Sequence, residues 1–255
     1  MNKFLIFFLI IFLNSKFAIC RNIGETEITT EDGIEVFQKE KYYLLNKNVS
    51  IDSDELELKA QIVTVYFEKD LYDIVKLIAK EDVNFSSEEY NIKGRGDYLR
   101  FNIKKEIIVV KGINSELFLE DTEMLSDQEI NVDNLTGMFS INGPNSKLIT
   151  DSIYITGSKI DGNFETIDGK RTIGDLVVID EKKVNINTDD IIMFSKKAIY
   201  DKKKSVIELF DEVEIKRGGE IITGDYGILE TEKKSYKVTS KKSKKVKAII
   251  LDSDE

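Results

Sequence analysis

The chain has 255 residues and a formal net charge of −10, from 47 acidic and 37 basic side chains, a balance that argues against general nucleic-acid binding. It holds no histidine, no tryptophan and a single cysteine, Cys20, so the usual general base and the commonest metal ligand are missing. At this length it can bury a core of its own.

Residues 1–20 read as a secretory signal peptide. Lys3 supplies the positive start, Phe4 to Leu13 is an unbroken apolar run, and Ala18 and Cys20 offer small residues at −3 and −1 of a cut before Arg21. Two other readings of this segment stand. Extended through Phe17 to Ile19, despite Asn14 and Lys16, it would be a retained anchor. Cys20 could instead take a lipid, although Ile19 sits where that signal wants Gly, Ala or Ser. Cleavage after Cys20 removes Lys3 and Lys16, taking the net charge from −10 to −12. The exported product would then have no disulfide and no thiol, and its core alone would hold it together.

Beyond Arg21 the chain alternates. "NVSID" (48–52) and "ELELKAQIVTVYF" (55–67) are strands by period, and "VYFEKDLYDIV" (65–75) carries a polar turn between two of them. Residues 70–83 have helix-compatible spacing, but they lie where the repeat needs a strand and are rich in Val, Ile and Tyr. A sharper cue follows at "YLRFNIKKEIIVV" (98–110): a polar tetrad flanked by β-branched and aromatic residues. It recurs at "VVIDEKKVNIN" (177–187), "AIYDKKKSVIELF" (198–210) and "GDYGILETEKKSYKVTS" (224–240), each read as strand, turn and returning strand. "SELFLE" (115–120) and "VEIKRGGEIITG" (213–224) are further strands. Residues 121–175 hold six glycines and the only proline, Pro144, and read as strands with longer loops. No helix-sized spacer separates the strands, which excludes βαβ topology and leaves an antiparallel or coiled all-β architecture. The lysine-rich stretch 232–247 reads either as a solvated turn and strand end or as a basic rim for anionic headgroups.

No motif indicates an enzyme, a cofactor or a metal. Asp52/Asp54, Glu88/Glu89 and Asp189/Asp190 could in principle serve sugar hydrolysis, but 47 acidic residues make such pairs expected by chance. "DSDELE" (52–57) lacks the glycine and the closing glutamate of a calcium loop and reads as a turn. "GRGD" (94–97) and "GPNSK" (143–147) fall short of a phosphate loop.

The informative feature is apolar strand surface. In 55–67 one parity carries Leu56, Leu58, Ala60, Ile62, Thr64 and Tyr66, while the other becomes apolar only at Val63, Val65 and Phe67. Leu99 and Phe101 alternate with Tyr98, Arg100 and Asn102, and Val213 and Ile215 alternate with charges. Adding Ile28, Val49, Ile51, Leu117, Leu119, Ile207 and Leu209 gives an inner face that is either a packed core or a groove for a lipid.

The stretch 24–67 resembles the opening of the OstA-like periplasmic lipopolysaccharide-transport family, the family of LptA. The residues that carry this are Ile28-Thr29-Thr30-Glu31, "KNVSI" at 47–51 and "LELKAQIVTV" at 56–65. The closing stretch 208–251 is similar to the family's end, with "DEVEI" standing where the family usually has Gly before its valine. The resemblance implies an all-β open jelly roll of stacked V-shaped antiparallel rungs without substantial helix. It divides the chain into a signal peptide (1–20), an N-terminal half (21–125), an irregular β and loop insertion (126–175) and a C-terminal half (176–255). It also implies a periplasmic bridge that carries lipopolysaccharide, through its lipid A, on the inner face. Partners would be inner- and outer-membrane components of similar fold, with edge-to-edge, head-to-tail oligomers. Alternatives are an LptC-like anchored component of the same pathway, a carbohydrate-active β-helix enzyme, and an adhesin or fibre subunit.

Overall fold

The protein is described here by a computed structural model covering residues 25–71, 73–241 and 245–250; the signal segment 1–20 lies outside the described residues. The described residues form strands and turns and no helix. The expected all-β class holds, and the segment with helix-compatible spacing at 70–83 enters a strand.

Two short strands open the chain, β1 (Glu27–Thr29) and β2 (Ile34–Phe37), followed by four long ones: β3 (Tyr42–Asp52), β4 (Glu57–Phe67), β5 (Ile74–Ser87) and β6 (Ile92–Asn102). Short strands return at β7 (Ile107–Lys111), β8 (Ser115–Leu119), β9 (Thr122–Ser126) and β10 (Glu129–Asp133). Then come β11 (Met138–Ile149), β12 (Ile153–Ile167), β13 (Lys170–Thr188), β14 (Ile192–Asp201), β15 (Val206–Arg217) and β16 (Glu220–Glu230), and the chain closes with β17 (Ser235–Thr239) and β18 (Lys247–Ile250).

Each long strand bends in its middle and so belongs to two sheets. β3 pairs with β4 from Tyr42↔Tyr66 to Asn46↔Ile62, then resumes from Val49↔Ala60 to Asp52↔Glu57. β2 pairs with the first half of β3 and β1 with the second. Where strands are short, two of them share a rung: β7 continues one sheet from β6 and β8 the other, and β10 and β9 repeat the arrangement against β11. At the far end β16 carries β17 on one half and β18 on the other. The result is a stack of antiparallel V-shaped rungs, joined along a line of corners and open along a mouth lined by turns.

The corners explain why hydrophobic period alone is a poor guide here. Lys47-Asn48, Glu81-Asp82 and Asp211-Glu212 all have φ between 51° and 65°, the left-handed region that Asn and Asp tolerate better than most residues. All six are exposed, and inward-pointing Leu45 resumes at Val49. On β4 the break lies between Lys59 and Ile62, and the inward parity jumps from Leu58 and Ala60 to Val63, Val65 and Phe67. The two apolar parities of 55–67 are therefore one inner face continued round a bend. Asp82→Gly should leave stability unchanged or raise it, and Asp82→Val should lower it by about 1–2 kcal/mol through the left-handed backbone. Urea unfolding of the two variants checks this; equal effects would remove backbone conformation as the reason for the corner residue.

Two sequence expectations differ from the structure. "DEKK" at 180–183 is a corner inside the single strand β13, not a hairpin turn. There Asp180 Oδ1 accepts from the amides of Lys182 (2.6 Å) and Lys183 (3.1 Å), and Lys196 Nζ donates to the Lys182 carbonyl (2.9 Å). The same polar tetrad thus closes a hairpin at 103–106 or bends a strand at 180–183, depending on whether the ladder partner continues. Residues 126–175, expected as irregular β and loop, carry β10, β11, β12 and the start of β13, in register with the ladder on both sides. Its glycines misled: a Cβ on Gly162 would lie 2.5 Å from Leu176 Cδ2 and 2.7 Å from the Phe139 ring, so glycine serves close packing inside a strand.

Candidate functional site

The inner faces of the two sheets meet in one apolar core running from Tyr43 to Leu229. Towards the corners it is filled, with Leu45, Leu99, Leu117, Met124, Ile141 and Ile160 at most 1% exposed. It is not filled towards the mouth in the second half of the stack. A cavity of about 510 Å³ lies there between β12, β13, β14, β15 and β16, within the roughly 300–1,000 Å³ of small-molecule sites. Its wall is apolar: Ile153 and Ile155 on β12, Ile173, Leu176, Val178 and Ile186 on β13, Ala198 and Tyr200 on β14, Ile207 on β15 and Leu229 on β16. Ala198 is registered between Val178 and Leu209, so the smallest inward side chain stands between two larger ones and leaves the wall short of volume.

The rim is polar. Asp121, Asp151, Asp189 and Asp190 come from turns of one sheet, Arg171 and Lys234 from the other. The Arg171 guanidinium reaches Asn134 Oδ1 (2.7 Å) and Glu120 (3.4 Å), and its Nη1 is buried without a hydrogen-bond partner. Lys202 points back under the rim, donating to Thr172 Oγ1 (2.7 Å) and the Ile173 carbonyl (3.0 Å). A second, smaller cavity of about 320 Å³ lies at the first-rung end, lined by Ile28, Tyr43, Ile51, Leu56, Tyr90 and Phe101 among others. Burial pushes the Tyr43 hydroxyl up to about 12.

Of the residues expected on the inner face from alternation, Ile62, Thr64 and Tyr66 turn outward beyond the bulge of β4, where Val63, Val65 and Phe67 are the buried ones. The others lie on the inner side, in two different settings. Ile207 lines the larger cavity; Ile28, Ile51, Leu56 and Phe101 line the smaller. Val49, Leu58, Leu99, Leu117, Leu119, Leu209, Val213 and Ile215 line neither and are buried. Of the larger cavity's apolar wall only Ile207 was anticipated; the rest lies mostly on segments read as strands, and which of their side chains face the space between the sheets depends on neighbours far apart in sequence. Of the lysine-rich close, Lys233 and Lys234 occupy the β16–β17 turn at the mouth, Lys237 lies on β17, and Lys241 pairs with Asp211 at a corner (3.0 Å). Among the described residues no group of three or more acidic side chains is placed to hold a metal ion.

No family model matches the sequence, and no curated protein does. Among solved structures, the protein is similar to the crystal structure of LptH, the LptA homologous periplasmic component of the lipopolysaccharide transport device from Pseudomonas aeruginosa. That match has 11% sequence identity and a TM-score of 0.42, over 51% of this chain and 94% of that one.

Proposed function

We propose that the protein is a periplasmic carrier that holds lipopolysaccharide or a closely related glycolipid by its acyl chains between the two sheets, and bridges inner- and outer-membrane components of similar fold. The apolar cavity opening at the mouth through a polar rim carries this reading, since it offers a dry wall to hydrocarbon and a wet border to a headgroup. The sequence motifs at 24–67 and 208–251 support the same family role, and the free strands at both ends of the stack suit main-chain pairing with a neighbour of like architecture. In this reading residues 1–20 direct export and are removed, and the role is binding, not catalysis.

Filling the cavity tests it. Ala198→Phe, with Ile153→Phe as a second variant nearer the mouth, should weaken binding of a dodecyl-chain probe by about tenfold or more, roughly 1.4 kcal/mol. Native mass spectrometry of the wild-type protein from its own cell envelope should show a co-purifying glycolipid. A variant that melts like the wild type and still binds the probe as tightly would eliminate this cavity as the acyl site.

A further inference from the structure

The two lips of the mouth differ in charge. The turns of the β1-bearing sheet are 53–56 "SDEL", 88–91 "EEYN", 120–121 "ED", 150–152 "TDS" and 189–191 "DDI", then the "GG" of 218–219. Every one of the first five carries carboxylate and none carries lysine or arginine. The facing turns include "QKEK" (38–41), "IKKE" (103–106), "KKKS" (202–205) and "TEKK" (231–234), and Lys170-Arg171 follow the tight turn "DG" (168–169). Of the others there, 134–137, "NLTG", is uncharged and 68–73, "EKDLYD", is acid-rich, while on the opposite lip Arg217 precedes the "GG" turn. Along the larger cavity the two lips are close enough to touch: Arg171 Nε reaches Glu120 at 3.4 Å, and Lys234 Nζ lies 3.9 Å from Asp190.

Resting on the reading of this cavity as an acyl site, we infer that an amphiphile bound here is held in one orientation, its anionic headgroup lying on the basic lip at Arg171, Lys203 and Lys234 and turned away from the carboxylate lip. A phosphate lying symmetrically in the mouth would face the like charges of Asp121, Asp151 and Asp189, while Asp190 is already paired with Arg217 (3.5 Å) and Lys234 (3.9 Å). Shifted to the other lip it meets cations, among them a guanidinium whose buried Nη1 has no partner. The lips therefore select by headgroup charge, while the wall selects only for hydrocarbon.

The test compares dodecyl phosphate with neutral dodecyl maltoside, both below micelle formation, by calorimetry on the whole protein at low and high salt. Asp151→Asn/Asp189→Asn should tighten dodecyl phosphate by about two- to fivefold at low salt, and Lys203→Ala/Lys234→Ala should weaken it by a similar factor, as for exposed charge pairs. Both effects should shrink at high salt, and maltoside should bind all forms alike. Inorganic phosphate at matched concentration should displace neither probe; displacement of dodecyl phosphate alone would make the basic lip a site for free anions and overturn the inference. It falls equally if dodecyl phosphate ignores the carboxylates, or if maltoside responds as the phosphate does, while the acyl site stands. If neither probe binds the wild type, the acyl reading falls and this inference falls with it.

Discussion

Leu99→Ala should cost about 2–5 kcal/mol of unfolding free energy, while Arg100→Ala, one residue along the same strand, should change it by less than about 0.5 kcal/mol. Leu99 is 1% exposed and sits between Ala79 and Val110 in the ladder, at a point where the two inner faces leave no space. Truncation there removes buried methyls and leaves a void its neighbours cannot close, because the strands beside it are fixed by main-chain pairing. Arg100 is exposed on the outer face. Urea unfolding measures both. Similar losses at the two positions would mean that the inner and outer faces of β6 are wrongly assigned.

The protein should form concentration-dependent, head-to-tail oligomers, and deleting residues 246–255 should abolish that self-association. Among the described residues β1 and β2 pair only with β3, and β17 and β18 pair only with β16, so each end presents an edge that no described strand fills. Both edges are apolar as well as open: Ile34 and Val36 are 50% and 46% exposed, and Ile249 and Ile250 are 40% and 71% exposed. The two ends differ, so one should pair with the other and the contact should propagate instead of closing a dimer. Ile34→Lys/Val36→Lys should weaken association from the opposite end by about tenfold or more. Lys245 and Lys247 near one edge and Glu27 and Asp32 near the other should add an attraction that fades as salt shortens the screening length to about 10 Å at 0.1 M. Light scattering against concentration decides it. A monomer throughout, or a truncated form that associates as well as the whole, would exclude pairing through β18.

Much of this architecture is readable in the chain, and the failures share a cause. The hairpins at 103–106, 202–205 and 231–234 announce themselves because a polar tetrad interrupts alternation on both sides. At 180–183 the same tetrad bends one strand, and only the pairing of β13 with both neighbours tells a corner from a turn. Likewise the parity change between Ala60 and Val63 resembles a loss of pattern until the bulge is seen. The inner face was legible where a strand keeps one parity, as at Leu99 and Phe101 or Val213 and Ile215, and not through the bend of β4, where Ile62, Thr64 and Tyr66 continue the expected parity but turn outward. Whether its side chains fill the space between the sheets was not, since that depends on facing residues far apart in sequence. Ala198 exposes the cavity only because Val178 and Leu209 flank it in register.

Among the described residues the paired rungs touch only the rungs before and after them, which makes this part close to a one-dimensional lattice with nearest-neighbour coupling. Loss of order should then begin at the two termini and travel inward, giving amide exchange that slows step by step towards β8–β11. Such a lattice has no preferred size. Two successive rungs, one running each way, can be added or removed without altering the contacts of the rest, provided the corner residues stay in line. Reach therefore becomes a quantity that evolution can set in steps of two rungs, about 9.4–9.8 Å, at the strand spacing of about 4.7–4.9 Å.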